Sequence, residues 1–126
     1  MRYLTKGREI TVKAGSLVYR TGDPIHDDAI YYIISGSVKL IRKMRDDYEF
    51  CYLCGTDDSF GVTTAMSDTK RECDAVALED CQLYAWSKDA FESAVSLYIE
   101  FARLAIQHLS RYMREVNREL AKAGRF

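Results

Sequence analysis

The sequence predicts a mainly β domain with C-terminal helices, and three observations lead to this fold class. Glycines punctuate the first two-thirds of the chain at short intervals, at Gly7, Gly15, Gly22, Gly36, Gly55 and Gly61. The runs between them are rich in β-branched and aromatic residues, which is typical of β-sandwiches and barrels. From about Tyr98 to Lys122 there is neither glycine nor proline, and apolar residues recur with a helical period.

Seven runs suit strands by composition or by alternation of apolar and polar residues. In chain order they are REITV (8–12), SLVY (16–19), AIYYIIS (29–35), SVKLIRKM (37–44), YEFCYL (48–53), DAVAL (74–78) and CQLYAW (81–86). The sequences TGDP at 21–24 and SGS at 35–37 supply turn residues where the chain must reverse. This series of short strands and turns predicts a sandwich or a barrel.

Two helices are predicted after the strands. Ser87 is a good N-cap residue and Asp89 lies in the first turn after it, so a short helix should begin there. In the longer helix, apolar residues recur alternately four and three positions apart, the heptad spacing of a coiled-coil seam. The seam residues are Ala102, Ile106, Leu109, Met113, Val116 and Leu120.

A second apolar set on the long helix leaves two interpretations open. It consists of Phe101, Leu104, Ala105 and Tyr112. Either one amphipathic helix covers its own barrel, or one stripe packs on the barrel and the seam packs on a second copy. We favour a parallel homodimer. The expected organisation is a sensor domain with a short helix at 1–97 and a dimerisation helix of the same domain at 98–126, with Gly124 as its end.

Length, charge and hydropathy restrict the functional classes. A chain of 126 residues is expected to form one domain. The net charge of −1 argues against a basic nucleic-acid-binding surface spread over the whole chain. No apolar run approaches the roughly 20 residues that span a bilayer, and the N-terminus lacks the layout of a signal peptide. We therefore expect a cytoplasmic protein without a membrane partner.

The cysteines and histidines do not form a metal-binding or catalytic pattern. The one C-x2-C pair lies in a predicted strand, where alternation points Cys51 and Cys54 to opposite faces. With Cys73 and Cys81, they are expected to be reduced and structural. His26 is expected in solvent, and His108 in a packed or hydrogen-bonded position on the long helix. No catalytic set stands out, so we expect neither an enzyme nor a metal site.

Residues 60–77, FGVTTAMSDTKRECDAVA, have the layout of a phosphate cradle. A glycine-containing turn and a run of small polar residues precede an arginine, and backbone N–H groups with a guanidinium suit an anion. Two acids, Glu72 and Asp74, lie next to that arginine. The candidate ligand-binding residues are Phe60, Gly61, Val62, Thr63, Arg71, Glu72 and Cys73.

Taken together and in order, four segments resemble the cyclic-nucleotide-binding domain of the cyclic-AMP receptor protein/FNR (Crp/Fnr) transcription regulators. They are KAGSLVYRTGD (13–23), AIYYIISGSVKL (29–40), CGTDDSFG (54–61) and the region around Arg71. The resemblance covers about residues 8–120. It implies a double-stranded β-helix (jelly-roll) barrel followed by a short helix and a long dimerisation helix. It also implies that Arg71 pairs with a cyclic phosphate and that Val116 and Asn117 face the ligand from the long helix.

Two positions depart from the pattern of that family. Val62 stands where the family usually has a Glu that binds the ribose hydroxyl, and Glu72 stands where a small or hydroxyl residue is usual. Two like charges about 4 Å apart repel by about 4 kcal/mol at an effective dielectric constant of about 20. A lost charged hydrogen bond costs about 1.5–3 kcal/mol. We therefore expect a degenerate cradle in which Arg71 is ion-paired to Glu72 or Asp74, or holds an anion weakly.

The leading hypothesis is an effector-sensing, dimerising regulatory module of a Crp/Fnr-type transcription regulator. Its effector is unknown, and a cyclic nucleotide is a doubtful candidate. DNA would be bound only by a helix-turn-helix domain, which is not found in this chain and either follows it in a longer protein or is missing from a free-standing sensor. The alternatives are a stand-alone cyclic-nucleotide-binding protein that acts through a partner, and a haem or redox sensor that uses His108 or the cysteines.

Overall fold

The computed structural model describes residues 3–44 and 48–122, and all seven predicted strands are present in it. The strands are β1 (Arg8–Val12), β2 (Leu17–Tyr19), β3 (Ile30–Ser35), β4 (Val38–Lys43), β5 (Glu49–Cys54), β6 (Ser59–Phe60), β7 (Asp74–Ala77) and β8 (Cys81–Trp86). The helices are α1 (Val62–Ser67), α2 (Lys88–Leu97) and α3 (Ile99–Lys122). Strand β6, of two residues, is an addition to the predicted set. The predicted helix end at Gly124 lies outside the described residues.

The strands form two four-stranded sheets. One sheet has the order β1-β8-β3-β6 and the other the order β2-β7-β4-β5, and the pairings within both are antiparallel. Two such sheets enclosing one apolar interior form a jelly roll. The predicted fold class, a mainly β jelly roll followed by a short and a long helix, is confirmed.

Alternation along β5 shows how the sequence fills this interior. Phe50, Tyr52 and Cys54 are buried, whereas Glu49, Cys51 and Leu53 are exposed. Because successive side chains of a strand point to opposite faces, the two cysteines of the C-x2-C pair lie on opposite faces, as predicted. Both cysteines are free, and so are Cys73 and Cys81.

The turn between β3 and β4 depends on glycine. Gly36 has a φ of +102°, and a Cβ at this position would lie 2.7 Å from the Cys81 sulfur. A side chain is therefore excluded by both backbone conformation and space. This close approach sets the hairpin against the start of β8.

Two apolar clusters hold the domain together. The first fills the space between the sheets and includes Ile33, Val38, Leu40 and Leu83. The second lies between the outer side of the β1-β8-β3-β6 sheet and the helices. Its larger members are Tyr3, Ile30, Tyr32, Trp86, Phe91 and Phe101.

Helix α3 begins in the second cluster. The Phe101 ring stacks on the Tyr3 ring at 4.6 Å between centroids, and the rings of Trp86 and Phe91 lie 5.3 and 5.6 Å away. Phe101 has no solvent-exposed surface. The first turn of the long helix is therefore fixed to the sheet by aromatic packing.

The boundaries of α2 and α3 agree closely with the prediction, and α1 is an addition to the two predicted helices. The Ser87 hydroxyl accepts a hydrogen bond from the Ala90 N–H at 3.2 Å, so Ser87 is the N-cap of α2. Tyr98 has extended backbone angles and ends α2. The chain changes direction there, and α3 starts at Ile99, one residue after the predicted start.

Replacing Phe101 with alanine is expected to lower the free energy of unfolding by about 3–5 kcal/mol, because the change empties a fully buried aromatic site. Urea unfolding at one fixed protein concentration measures the difference. The control is Leu97→Ala, at a residue that is 66% exposed, where a change of less than about 0.5 kcal/mol is expected. Equal effects of the two substitutions would contradict the assigned position of α3.

Candidate functional site

A pocket lies between the barrel and helix α3, beside the segment that leads from β6 into α1. Its lining consists of Tyr19, Leu40, Ser59, Phe60, Gly61, Val62, Thr63, Thr64, Glu72, Cys73, His108, Leu109 and Tyr112. Six of the seven predicted ligand-binding residues are among them, and Arg71 is not. The pocket has about 40 Å³ of space for water-sized spheres, enough for a few water molecules. Sites for drug-sized ligands usually have about 300–1,000 Å³.

Gly61 shapes the cradle. It has a φ of +84° and caps α1, and a Cβ here would lie 2.8 Å from Arg71 Nη1 and 2.9 Å from the Ala29 carbonyl oxygen. The missing side chain therefore leaves room for the guanidinium to reach the backbone. The glycine that the sequence suggested for anion binding is needed here for the packing of Arg71.

Arg71 is a buried cation that joins three segments of the chain. Only 4% of it is exposed. Its Nη1 donates hydrogen bonds to the Gly61 carbonyl at 3.0 Å and to the Thr64 hydroxyl at 3.1 Å, and Nη2 donates to the Ala29 carbonyl at 2.6 Å. The guanidinium carbon lies 4.1 Å from the centre of the Tyr19 ring, a cation–π contact.

The predicted ion pair of Arg71 with Glu72 or Asp74 is wrong. Glu72 is bonded instead to Arg42, with Nη1 and Oε2 3.0 Å apart, and an Asp74 oxygen accepts a hydrogen bond from the Thr21 N–H at 2.8 Å. The reason is that the Arg71 guanidinium is directed at the Gly61 and Ala29 carbonyls and the Thr64 hydroxyl, which satisfy its hydrogen bonds without either acid. Within residues 3–44 and 48–122, Arg71 has no carboxylate partner, and it lines a separate surface cleft with residues such as Arg8, Asp23 and Asp28.

A polar cluster joins α3 to the loop before the cradle. Asp58 Oδ1 lies 3.0 Å from His108 Nδ1, and Asp58 Oδ2 lies 2.8 Å from Arg111 Nη2. The Gly55 N–H also donates to Asp58 Oδ2 at 2.8 Å, and Arg111 Nε donates to the Tyr52 hydroxyl. Asp58 immediately precedes Ser59 and Phe60 of the pocket wall. The cluster therefore connects the helix to the pocket by charged hydrogen bonds.

The pKa of Asp58 reflects these contacts. Burial raises the pKa of this carboxyl, but the hydrogen bonds from His108, Gly55 and Arg111 outweigh burial and lower the pKa to about 2. Asp58 is therefore a carboxylate at neutral pH. His108 is buried and hydrogen-bonded, as the sequence predicted.

Asp58 and Arg111 were not among the site residues predicted from the sequence. A usable signal was the spacing of His108 and Arg111 three positions apart on the predicted helix, which puts both on one face. That pairing alone does not identify the acid, because Asp58 is some 50 residues away in the chain.

The site does not favour haem or thiol chemistry. Nδ1 of His108 is directed at Asp58, and its Nε2 lies 4.0 Å from the Cys54 sulfur, so both ring nitrogens face protein groups. Burial raises the pKa of the Cys54, Cys73 and Cys81 thiols, which keeps them protonated near neutral pH. The described ranges contain no group of three or more His, Cys, Asp or Glu side chains able to hold a metal ion.

The apolar residues of α3 divide between two surfaces. Phe101, Leu104 and Tyr112 pack on the barrel clusters, in agreement with the second apolar stripe. Among the predicted seam residues, Ile106 and Met113 are 64% and 63% exposed, whereas Ala102 and Leu120 are half-buried.

The other two seam residues also contact the barrel side, since Leu109 lines the pocket and Val116 packs on the first cluster. Helix α3 contributes His108, Leu109 and Tyr112 to the pocket. The predicted ligand-facing residues lie further along the helix, Val116 half-buried and Asn117 exposed. Their contact with an effector stays a prediction. None of the helices in the described part of the chain is both long and apolar enough to cross a membrane.

Known proteins share this sequence pattern and architecture. The profile of the family described as "Cyclic nucleotide-binding domain" matches residues 9–98. A "CRP-like cAMP-activated global transcriptional regulator" of Mycobacterium tuberculosis is 29% identical over 108 residues, which cover 85% of this chain and 47% of the relative. The chain thus spans about half the length of the curated relatives it matches.

Solved structures show the same fold. The catabolite activator protein of Thermus thermophilus superposes with a TM-score of 0.76 at 25% identity, covering 98% of this chain and 57% of that protein. The regulator CLP of Xanthomonas campestris gives a TM-score of 0.81 at 22% identity, covering 96% of this chain and 61% of CLP.

The family match extends from β1 through α2, and the fold and the cradle between β6 and β7 agree with it. The chain therefore belongs to the cyclic nucleotide-binding domain family, as found in Crp/Fnr-type transcription regulators.

Proposed function

We propose that this chain is the effector-sensing and dimerising module of a Crp/Fnr-type transcription regulator, and that its cradle does not bind cyclic nucleotides tightly. The observation that carries the proposal is the position of the pocket, which has the cradle on one side and helix α3 on the other. An effector that enters it must contact both. The M. tuberculosis relative, a transcriptional regulator by its description, supports the regulatory role. The proposed activity is binding, not catalysis.

Three features support the loss of tight nucleotide binding. Val62 presents an apolar side chain to the pocket, and Glu72 adds a carboxylate. Arg71 would have to leave two backbone carbonyls and the Thr64 hydroxyl to reach a phosphate. Hydrogen bonds that involve a charged group are worth about 1.5–3 kcal/mol each, so this rearrangement opposes binding.

The Asp58 cluster supports a route from the pocket to the helix. Asp58 is adjacent to Ser59 and Phe60 in the pocket wall, and it binds His108 and Arg111 on α3. A displacement of the wall therefore changes the geometry of charged contacts on the helix. In this mechanism the effector shifts a population between two positions of α3.

The exposed face of α3 supports dimerisation. Ile99, Ile106 and Met113 are each about two-thirds exposed and follow one another at intervals of seven residues. A row of exposed apolar residues with heptad spacing is the pattern of a helix that packs against another helix. The proposed partner is a second copy of the chain, with the helices parallel.

A stand-alone cyclic-nucleotide-binding protein is the second candidate, and one observation favours it. Arg71 is a buried cation without a carboxylate partner in the described ranges, although buried charges are usually paired. A bound phosphate would supply the missing negative charge. This candidate requires Arg71 to turn towards the pocket.

Replacing Asp58 with asparagine tests the link between cradle and helix. The pKa of this carboxyl is lower in the folded than in the unfolded state, so its contacts stabilise the fold above about pH 4 and lose this effect as pH falls towards 2. Because solvent screens part of these contacts, Asp58→Asn should cost about 1 kcal/mol of unfolding free energy at pH 7, and less at pH 3. Hydrogen exchange should also become faster along α3 around His108 and Arg111.

The matched control for Asp58 is Asp68→Asn, since that side chain is 81% exposed and makes a surface ion pair with Lys88. It should leave both the pH dependence and the exchange of α3 unchanged. A wild-type stability that does not fall between pH 4 and pH 3 relative to Asp58→Asn would contradict the proposed role of the cluster.

The double variant Ile106→Glu with Met113→Glu tests the dimer. Two carboxylates in a buried apolar seam would each cost several kcal/mol, so the variant should be a monomer where the wild type is a dimer. Light scattering coupled to size exclusion measures the mass. Gln107→Glu with Arg114→Gln changes the net charge equally on a neighbouring exposed face and should remain dimeric. Dimerisation is refuted if the wild type is a monomer at high concentration.

The double variant Val62→Glu with Glu72→Ser tests the degenerate cradle. It restores the residues that the family usually has at these positions, and it should raise the affinity for cyclic AMP at least tenfold, about 1.4 kcal/mol. Isothermal calorimetry on both proteins measures the difference. Micromolar or tighter binding by the wild type would favour the second candidate and contradict the account of the cradle.

A further inference from the structure

We propose that the pocket between the barrel and α3 takes a small, uncharged and largely apolar molecule, about the size of one or two aromatic rings. This inference rests on the proposed function, because it takes the pocket as the effector site. It adds the chemical class of the effector, which the loss of nucleotide binding leaves open.

The charged groups around the pocket disfavour an ionic ligand. Two ionisable groups with a pairing partner line the pocket, and both partners come from the protein: Arg42 lies 3.0 Å from Glu72, and Asp58 lies 3.0 Å from His108. Arg71 is absent from the lining and is bonded to carbonyls. A charged ligand would therefore lose its hydration without gaining a free counter-charge among the described residues.

The chemistry of the pocket walls favours an apolar ligand. Apolar and aromatic side chains form both sides, with Leu40, Phe60 and Val62 on the barrel side and Leu109 and Tyr112 on α3. Such surfaces favour flat or compact apolar ligands. Burial raises the pKa of the Tyr112 phenol, so its hydroxyl stays protonated and can donate one hydrogen bond. One acceptor on an otherwise apolar ligand would satisfy it.

The size of the pocket favours a small ligand. The present space of about 40 Å³ is smaller than an aromatic ring needs, so a ligand must push α3 away from the barrel. A small displacement suffices for one or two rings. A nucleotide needs several hundred cubic ångströms, which would separate His108 and Arg111 from Asp58. A ligand larger than one or two rings would therefore have to break the contacts of Asp58 with His108 and Arg111, which lowers its affinity.

Methyl NMR on the whole chain tests this inference, with indole and cyclic AMP as separate probes. Indole, uncharged and bicyclic, should shift the methyl signals of Val62, Leu40 and Leu109 in a saturable manner at sub-millimolar to millimolar concentration. Cyclic AMP at the same concentration should not. Val62→Asp places an unpaired charge on the wall and should weaken indole binding at least tenfold. The control Leu53→Asp changes an exposed residue of β5 and should leave the affinity unchanged.

A second variant, Val62→Phe, tests the same pocket in case Val62→Asp does not fold. Val62→Phe fills the pocket without adding charge and should also abolish the indole shifts at Leu40 and Leu109, with the remaining methyl spectrum preserved. The inference is overturned if saturating indole leaves the pocket methyls unshifted, or if both Val62 variants bind indole as the wild type does. Neither result affects the dimer or Asp58 experiments. Tighter binding of cyclic AMP than of indole would overturn the ligand class and the degenerate cradle together.

Discussion

The arrangement of the site depends on one buried guanidinium. Arg71 donates to the carbonyls of Ala29 and Gly61 and to the Thr64 hydroxyl, so it connects the start of β3, the cradle turn and α1. Burial of a charge is costly unless its hydrogen-bonding groups are satisfied, and here backbone dipoles satisfy them. The position of the cradle follows from this requirement. A residue type that is associated with anion binding serves in this structure to assemble the pocket wall.

Helix α3 is attached to the barrel by two different kinds of contact. Its first turn is fixed by the stacked and tilted rings around Phe101, which are apolar and insensitive to pH. Two turns later, His108 and Arg111 are fixed by Asp58, through directional charged hydrogen bonds. Between these polar contacts and the cradle lies the pocket. Beyond these polar contacts, Tyr112 and Val116 also pack on the first apolar cluster.

The strands, the Ser87 cap and the long helix were predictable because they are encoded locally, by alternation, by capping and turn residues and by heptad spacing. Strand β6 was not, since two residues carry no period. The partners of Arg71 could not be predicted either, because the Ala29 and Gly61 carbonyls are backbone groups that any sequence provides. The expected ion pair failed because the guanidinium is bonded to those carbonyls, while Glu72 pairs with Arg42 from the neighbouring strand β4. The Asp58 cluster depends on contacts between residues some 50 positions apart, and no local pattern encodes them.

The distance between the aromatic anchor and the pocket makes α3 a lever. With a rise of about 1.5 Å per residue, Leu109 lies about 12 Å along the helix from Phe101, and Lys122 lies about 32 Å from it. If the helix pivots at Phe101 as a rigid rod, a shift of about 1 Å at Leu109 becomes about 2.6 Å at Lys122, in proportion to these lengths. The aromatic cluster is then the pivot point of α3. A displacement at the pocket that is too small to change the barrel becomes a larger displacement at the C-terminal end of the helix.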